Sequence, residues 1–336
     1  MADFDDLQGA VSVFGANNRV IYDDTGMPSI MVGLPKMKYK DIITNGADET
    51  IPFWIVDGKE INTIWVSKFL NIVENDRAYS LGARLPKNYI TFDQALAACY
   101  KKGNGWHLNQ TGIFGCINLL SQKLGTVPHG NTNYGEDYFN PFEKGVQPKG
   151  ETQRTLTGSG GPTWYHNHDK SGIADICGNL REWTGGMRLV DGEIQIIPYG
   201  NSMKIDCDMS AASTLWKAIM PDGTLVDPGT TGTLKYNGLK VGTTAVTITT
   251  PQSGKLKALV ADDVNIPKLL IAMGLFPEES ATYKSDYFYI DSTRERLPLR
   301  GSAFGNSLYS GPSAVDFRYY RHDSYEFIGF RSAYYD

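Results

Sequence analysis

Residues 175–183 read Asp175-Ile-Cys-Gly-Asn-Leu-Arg-Glu-Trp183, and this stretch decides the fold. Two further stretches follow it in order, Arg296-Leu-Pro-Leu-Arg-Gly301 and Gly329-Phe-Arg-Ser-Ala333. Any one of the three would be a weak signal if it stood alone. As an ordered set they are specific, and they frame a domain over residues 28–336.

The first half of this frame predicts short strands and two helices. Three apolar runs predict strands: Ile30–Val32, Phe53–Val56 and Ile64–Val66. Thr91-Phe-Asp-Gln94 fits a capping box, in which the Thr and Gln side chains satisfy free backbone amides, so a helix should begin there. A second helix should run from Thr111 along an apolar stripe and end at Gly125.

The pattern then changes to long loops and hairpins. Residues 126–171 have almost no periodicity and predict long loops, which in a compact domain are usually functional. From Met187, MRLV-DG-EIQII predicts a hairpin with an Asp-Gly turn, and KAIM-PDG-TLV and TLKY-NG-LKV repeat that logic. A short helix is expected in NIPKLLIAMG, with Asn265 as its cap and Pro267 near its first turn.

These segments are interpreted as one α+β domain rather than two separable domains. The domain covers residues 28–336 and carries a β-rich insertion at about 187–285. Residues 1–27 are polar and turn-rich, which is typical of an N-terminal arm.

Composition excludes several classes of function. The net charge is −5 and no Lys/Arg block occurs, so nucleic acid is not the expected partner. No apolar run approaches the ~20 residues needed to span a bilayer, so no membrane insertion is expected. The start, MADFDDLQGAV, lacks the layout of a signal peptide, so we expect synthesis in the cytoplasm. The protein would then be displayed on a virion or on a cell surface. The four cysteines are scattered, which favours reduced buried thiols over two disulfides.

The three ordered segments resemble one known family. Residues 175–183 are similar to the GNVWEW signature of formylglycine-generating-enzyme-like domains, residues 296–301 to the lead-in of that family's last strands, and residues 329–333 to its closing GFR motif. This resemblance implies a C-type-lectin-like fold of the formylglycine-generating-enzyme-like subtype. Within that fold the chain looks most similar to the variable proteins of diversity-generating retroelements, a group that includes phage tropism determinants.

Membership in that group implies that the gene's 3′ end is rewritten with errors at adenines. AAY codons then become NNY codons, which never encode Met, Trp, Lys, Gln or Glu. These five types make up 55 of the 336 residues, so about four are expected in the 26 residues from Ser302 to Phe327; one occurs, Glu326. Phe304 stands where the family usually has Trp, and Tyr320 where it usually has Ala. We call residues 302–327 the tail.

The tail is predicted to bind a ligand. It mixes Tyr and Phe with Ser, Gly, Asp and Arg, the composition of antibody paratopes. The predicted contact residues are Ala303, Phe304, Asn306, Leu308, Tyr309, Asp316, Arg318, Tyr319, His322, Asp323, Tyr325 and Phe327. All of them except Phe304 and Phe327 are expected to project into solvent. Residues expected in the core are Trp183, Val315, Phe317 and Phe330, and Arg331 should anchor the last strand by hydrogen bonds.

An enzyme is the first competing interpretation. Formylglycine-generating enzymes need a pair of thiols near the C-terminal stretch to bind copper, and no cysteine occurs after Cys207. His166 and His168 stand together in YHNHD, but a His-x-His pair in a glycine-rich loop is a weak metal signal. No metal, cofactor or catalytic residue is therefore predicted. Calcium held near Asp175 or Asn179 is the alternative that stays open.

A carbohydrate-binding lectin is the second competing interpretation. Lectins of this fold that hold sugar through calcium use EPN-like or QPD-like loops, and neither tripeptide occurs. The sequence thus favours a non-catalytic, hypervariable binding protein, whose partner is an unknown protein or glycan held by the tail. Oligomeric display would let several weak contacts combine.

Overall fold

The computed structural model describes residues 5–336, and the chain forms a β-rich α+β architecture. The helices are α1 Asp5–Ser12, α2 Tyr39–Ile42, α3 Phe92–Tyr100, α4 Thr111–Leu124 and α5 Lys268–Ala272. The first strands are β1 Asn18–Tyr22, β2 Pro28–Pro35, β3 Ile55–Val56, β4 Lys59–Glu60, β5 Thr63–Ser67, β6 Ile72–Glu74, β7 Arg77–Tyr79, β8 Trp106–Leu108, β9 Arg181–Trp183, β10 Met187–Val190 and β11 Glu193–Ile196. The remaining strands are β12 Lys217–Ile219, β13 Leu225–Val226, β14 Lys235–Asn237, β15 Lys240–Gly242, β16 Gln252–Lys255, β17 Val260–Ala261, β18 Tyr287–Ile290, β19 Glu295–Arg300, β20 Val315–Tyr319, β21 Ile328–Phe330 and β22 Ser332–Tyr334.

The two main helices confirm the predicted start and stop signals. At the start of α3 the Thr91 hydroxyl accepts from the Gln94 amide at 3.2 Å, and the Gln94 side chain accepts from the Thr91 amide at 3.1 Å. α4 begins at Thr111 and ends before Gly125, which adopts the left-handed conformation with φ 69°. That conformation suits glycine because it has no Cβ to clash with the preceding turn.

Two local predictions are wrong, and proline explains both. The cap of α5 is Pro267 rather than Asn265, because a residue before proline is pushed out of the helical region and Ile266 cannot continue a helix. The predicted strand Phe53–Val56 is reduced to β3, because Pro52 opens a 3₁₀ turn over Pro52–Trp54.

A five-stranded sheet gathers both ends of the chain. Its order is β1-β2-β5-β22-β8, so the last strand lies between two strands from the first third of the sequence. β1 pairs along its whole length with β2, and Val20 on it is buried. Residues 18–22 of the predicted N-terminal arm are therefore part of this sheet.

A larger sheet holds the insertion and the tail together. Its main path runs β16-β18-β20-β19-β10-β11-β14-β15-β17, with β9, β12, β13 and β21 attached to it. The predicted Asp-Gly hairpin forms between β10 and β11, where Asp191 and Gly192 make the turn with φ 47° and 77°. The two other predicted hairpins form as β12–β13 and β14–β15. β20, the strand of the tail, lies between β18 and β19.

The family-like segments meet in the core. Trp183 and Phe330 are buried, and the Trp183 indole donates to the Ile90 carbonyl at 3.0 Å. The Arg331 guanidinium is fully buried and donates from Nε and Nη2 to the two carboxylate oxygens of Glu182, at 2.7 and 2.8 Å. It also donates to the Ser67 carbonyl at 2.9 Å. These bonds tie residues 175–183 and 329–333 to the five-stranded sheet, as expected for an anchoring arginine.

Across residues 5–336, no helix has both the length and the apolar character that crossing a bilayer requires.

Candidate ligand-binding surface

The tail is a strand flanked by two ordered turns. β20 supplies its middle, and a short 3₁₀ turn over Ser307–Tyr309 precedes it. β20 pairs with β18 on one side and with β19 on the other. Val315 and Phe317 point into the core and are buried, as predicted. Alternate residues of the strand therefore fix the tail to the scaffold while its turns reach the surface.

Three of the predicted contact residues are buried instead. Ala303 and Asp316 were expected in solvent, but they are 4% and 1% exposed, and Phe304 is 5% exposed. Phe304 packs with Leu70 and Leu180 in a small apolar cluster, because removing the apolar surface of a phenyl ring from water is favourable. Ala303 lies under the turn, where its amide donates to the Asn306 side chain at 2.6 Å.

Asp316 is buried because two guanidiniums neutralise it. Arg181 donates from Nη1 to Asp316 Oδ2 across a short contact. Arg318 donates to the same carboxylate from Nε at 2.9 Å and from Nη2 at 2.7 Å. A buried carboxylate needs such partners, since desolvating an unpaired charge is costly. Arg181 is 135 positions away in the sequence, so the local pattern around Asp316 could not reveal this pair.

The other predicted contact residues are exposed or half-buried. Leu308, Tyr309 and Tyr325 are 44%, 43% and 42% exposed, and His322 is exposed as well. The half-buried members are Asn306, Arg318, Tyr319, Asp323 and Phe327.

The aromatic rings of the tail form an ordered cluster. The Tyr319 ring lies 5.7 Å from Tyr325 and 5.9 Å from Phe327, and the Tyr325 and Phe327 rings are parallel at 5.4 Å. The Asp323 carboxylate closes the turn before them by accepting from the Tyr320 amide at 2.8 Å. Burial raises the pKa of Tyr319, so its hydroxyl stays protonated at neutral pH.

Two tyrosines outside the tail contact other residues of the tail, and the sequence interpretation missed them. The Tyr287 ring lies 4.6 Å from Tyr309 and 5.6 Å from Tyr289. The Arg318 guanidinium lies 4.2 Å from the centroid of Tyr289. The signal was present, because β18 reads Tyr-Phe-Tyr-Ile and its burial alternates, with both tyrosines on the outer face.

His166 and His168, the pair considered as metal ligands, each bond to the backbone. The His166 ring is buried and its Nδ1 accepts from the Ile173 amide at 2.8 Å, whereas His168 Nε2 bonds to the Val127 carbonyl at 3.0 Å. Burial lowers the pKa of His166 to about 4. Within residues 5–336, His, Cys, Asp and Glu side chains form no group of three or more suited to a metal ion.

Asp175 and Asn179, the two residues considered for calcium, are engaged in the fold. The Asn179 carboxamide oxygen accepts from the Thr155 amide at 3.0 Å, and its nitrogen donates to the Thr155 carbonyl at 3.1 Å. Asp175 accepts from the Gly158 amide at 2.8 Å.

The exposed rings of the tail lie on the outer surface of the protein. A cleft of about 770 Å³ lies elsewhere and is lined by residues such as Tyr39, Phe53 and Tyr199. None of its lining residues belongs to the tail. An open surface of rings and guanidiniums suits a macromolecular ligand more than a small molecule, which usually binds in a concave site.

Comparisons with known proteins give likenesses among solved structures. No protein-family model matches the chain, and no curated protein matches it. PvdO from Pseudomonas aeruginosa is 13% identical with a TM-score of 0.41, over 96% of this chain and 100% of that one. The I1 variant of the Major Tropism Determinant is 13% identical with a TM-score of 0.32, over 92% of this chain and 56% of that one. Variable protein 1 of Treponema denticola is 10% identical with a TM-score of 0.37, over 96% of this chain and 100% of that one.

Variable proteins are thus among the structures that this chain resembles.

Proposed function

We propose that this chain is a non-catalytic binding protein that holds a protein or glycan ligand on its tail. The scaffold would be a C-type-lectin-like domain of the formylglycine-generating-enzyme-like subtype, with residues 187–285 as its insertion. The joining of the motif segments through Arg331 and Glu182 supports this assignment, because the segments that carry the resemblance are in contact.

The proposal rests on one observation. The tail holds aromatic rings and the Arg318 guanidinium at the surface, and buried residues such as Asp316 fix their positions. Tyr325 and Phe327 stack in parallel, and Arg318 lies over Tyr289. Tyr, Trp and Arg dominate the binding energy of protein interfaces. Because these rings already pack against one another in the free protein, they lose little conformational entropy when a ligand binds.

Retroelement diversification of the tail is the second part of the proposal. The contact positions that reach the surface are Asn306, Leu308, Tyr309, Arg318, Tyr319, His322, Asp323, Tyr325 and Phe327. Ala303, Phe304 and Asp316 belong to the platform beneath them. Protein made in the cytoplasm would be displayed on a phage or bacterial surface, where oligomeric display would add avidity.

The cysteines do not support the competing oxidoreductase function. All four cysteines are free and buried. Burial raises the pKa of Cys177, the cysteine within the family-like segment, so its thiol stays protonated and is a poor copper ligand. We expect no conversion of a sulfatase-type cysteine peptide above a no-protein control.

A display library tests the binding function directly. The tail library randomises four exposed positions, Leu308, Tyr309, His322 and Tyr325, and keeps Arg318 because it pairs with the buried Asp316. It is panned on immobilised ubiquitin, a small protein probe. We expect folded clones that bind ubiquitin, and a library that folds but yields no binder would contradict the proposal.

The neighbouring DNA tests the diversification. A near-copy of the segment that encodes residues 302–333, beside a reverse-transcriptase gene and differing chiefly at adenines, is the expected finding. A genome region without such a copy would leave a binding protein whose tail does not vary by this route.

A further inference from the structure

A second exposed aromatic surface lies outside the tail, on residues 134–142, which we call the aromatic loop. Its sequence is YGEDYFNPF. Phe142 is 88% exposed, and Tyr134, Phe139 and Tyr138 are 55%, 45% and 38% exposed. Single exposed apolar residues are normal in proteins, but here four exposed rings lie within nine consecutive residues, and those of Tyr138 and Phe139 are 5.2 Å apart. Groups of exposed apolar residues mark interaction surfaces.

Inward-facing carboxylates hold this loop in place. Asp137 Oδ1 accepts from the amides of Phe139 and Asn140 at 3.0 and 2.8 Å. Its Oδ2 accepts from the Gly130 amide at 3.2 Å. Glu143, just after the loop, accepts from the Thr163 hydroxyl at 2.6 Å. The rings are therefore presented from an ordered backbone, so little ordering would be needed when a partner binds.

The aromatic loop is continuous with the tail. The Tyr134 amide donates to the Phe304 carbonyl at 2.7 Å, and the Ser307 amide donates to the Thr132 carbonyl at 2.8 Å. The Tyr134 and Phe304 rings lie 5.7 Å apart. Tyr134 has a φ of 51°, which is unfavourable for a bulky side chain, and its bond to the tail helps to hold it there. A ligand seated on the 304–309 turn would meet the loop beside it.

The charges of the loop are used within the protein. Glu136 pairs with Lys144 at 3.1 Å, and Glu143 pairs with His129 at 3.0 Å. Asp137 is occupied by backbone amides. These carboxylates are thus engaged, and the rings, with the hydroxyls of Tyr134 and Tyr138, are what the loop offers to a partner. Sugars need hydrogen-bond partners for their hydroxyls, whereas apolar side chains of a protein need only rings to pack on.

We propose that the aromatic loop is a constant docking arm that packs on apolar side chains of the same protein ligand that the tail binds. This inference rests on the proposed function of the tail and narrows its ligand to a protein. The tail would select the partner through its variable side chains. The loop would add apolar contact area that does not change from one tail variant to the next.

The test introduces Phe142→Ala into several ubiquitin-binding clones of the tail library. We expect Kd to rise about tenfold in most clones, the range in which truncated aromatic anchors fall. The melting temperature should not change, because Phe142 is 88% exposed. Phe142→Leu, which keeps apolar surface, should retain most of the affinity. Tyr199→Ala is the matched control, since Tyr199 is 50% exposed and belongs to neither the loop nor the tail, and it should leave Kd unchanged.

Each other outcome overturns the inference in its own way. Clones that bind ubiquitin equally well with Phe142→Ala would make the loop a bystander while the function of the tail stands. A folded library without binders would remove the proposed function and the inference with it. Clones selected in parallel on dextran that lose as much affinity would show that the loop is not specific for proteins. Sedimentation in which the unmodified chain self-associates and Phe142→Ala does not would assign the loop to a second copy of this chain.

Discussion

Two buried arginine–carboxylate pairs lie in different parts of the molecule. Glu182 pairs with Arg331 in the scaffold, and Arg181 pairs with Asp316 of the tail. Arg181 and Glu182 are consecutive residues of β9, and consecutive side chains of a strand point to opposite faces. The two pairs therefore extend from opposite faces of β9, and Trp183, on the same face as Arg181, packs in the core.

The two pairs differ in whether they reach solvent. Arg331 is fully buried and bonds to carbonyls of Ser67 and Ala174, so its pair is closed on all sides. The Asp316 pair continues outward through Arg318, whose side chain is 36% exposed. The scaffold pair can only stabilise, whereas the tail pair also positions a guanidinium at the surface.

Breaking the scaffold pair should have the largest effect. Arg331→Met leaves the buried Glu182 carboxylate without its partner, which should reduce the free energy of unfolding by about 3–5 kcal/mol. Urea unfolding measures this loss. Adding Glu182→Met to Arg331→Met should restore part of the stability, because an apolar pair leaves no buried charge unpaired. A loss below about 1 kcal/mol in the single variant, the size of an exposed pair, would contradict the closed-pair interpretation.

The free energy of unfolding should change with pH because of Asp175. Burial raises the pKa of this carboxyl to about 6, against its usual 3.8, although the Gly158 amide and Arg331 oppose the shift. A carboxyl with a raised folded-state pKa stabilises fully below its unfolded pKa, and that contribution is lost as the pH rises through the folded value. The chain should therefore lose up to about 3 kcal/mol of stability from this group between pH 4 and pH 7.

Asp175→Asn isolates that contribution. Its side-chain oxygen can still accept from the Gly158 amide, and Asn tolerates the φ of 56° at this position. The variant should match the unmodified chain near pH 4 and exceed its stability at pH 7 in paired urea titrations. Parallel stability curves for the two proteins over this range would mean that Asp175 titrates normally.

Breaking the tail pair should cost less than breaking the scaffold pair. Asp316→Asn removes the charge that Arg181 and Arg318 share but keeps one acceptor oxygen, and Arg318 can turn to water. We expect a loss of about 1–3 kcal/mol in urea unfolding, the cost of weakening a buried charged hydrogen bond. Asp323→Asn is the control, since Asp323 is half-buried in the same tail. A loss as large as that of Arg331→Met would make the tail part of the scaffold.

The sequence predicted the scaffold well because its signals are local. The capping box at Thr91, the helix stop at Gly125 and the Asp-Gly hairpin all act within a few residues, and all three formed. Local signals also failed where a neighbour outweighed them. Pro267 displaced Asn265 from the cap of α5 because it constrains the residue before it.

The surface was predicted less well because exposure depends on distant partners. Asp316 lies beside polar residues, yet Arg181, 135 positions away, pairs with it in the interior. Tyr287 and Tyr289 are adjacent to the tail only because β18 pairs with β20. The aromatic loop falls within residues 126–171, where only loops were predicted. Pairing of strands decides which loop borders the tail, and no short window of sequence contains that pairing.

Replacing the exposed residues of the tail should have the smallest effect on stability. Leu308, Tyr309 and Tyr325 are each more than two-fifths exposed, and substitutions at such positions normally change stability by no more than ~0.5 kcal/mol. Members of the tail library should therefore melt close to the unmodified chain. Trp183→Ala is the reference for core damage, since removing a buried indole costs roughly 3–5 kcal/mol.

A second library that also varies Asp316 tests whether the exposed and buried residues of the tail differ in their effect on stability. Varying Asp316 strands Arg181, which is 4% exposed, so these members should melt distinctly below those that keep Asp316. A thermal melt of both pools beside Trp183→Ala would order the three groups. If the pool that keeps Asp316 unfolds as readily as Trp183→Ala, the exposed residues of the tail stabilise the fold as much as a core residue does, and the separation of the tail surface from the scaffold is wrong.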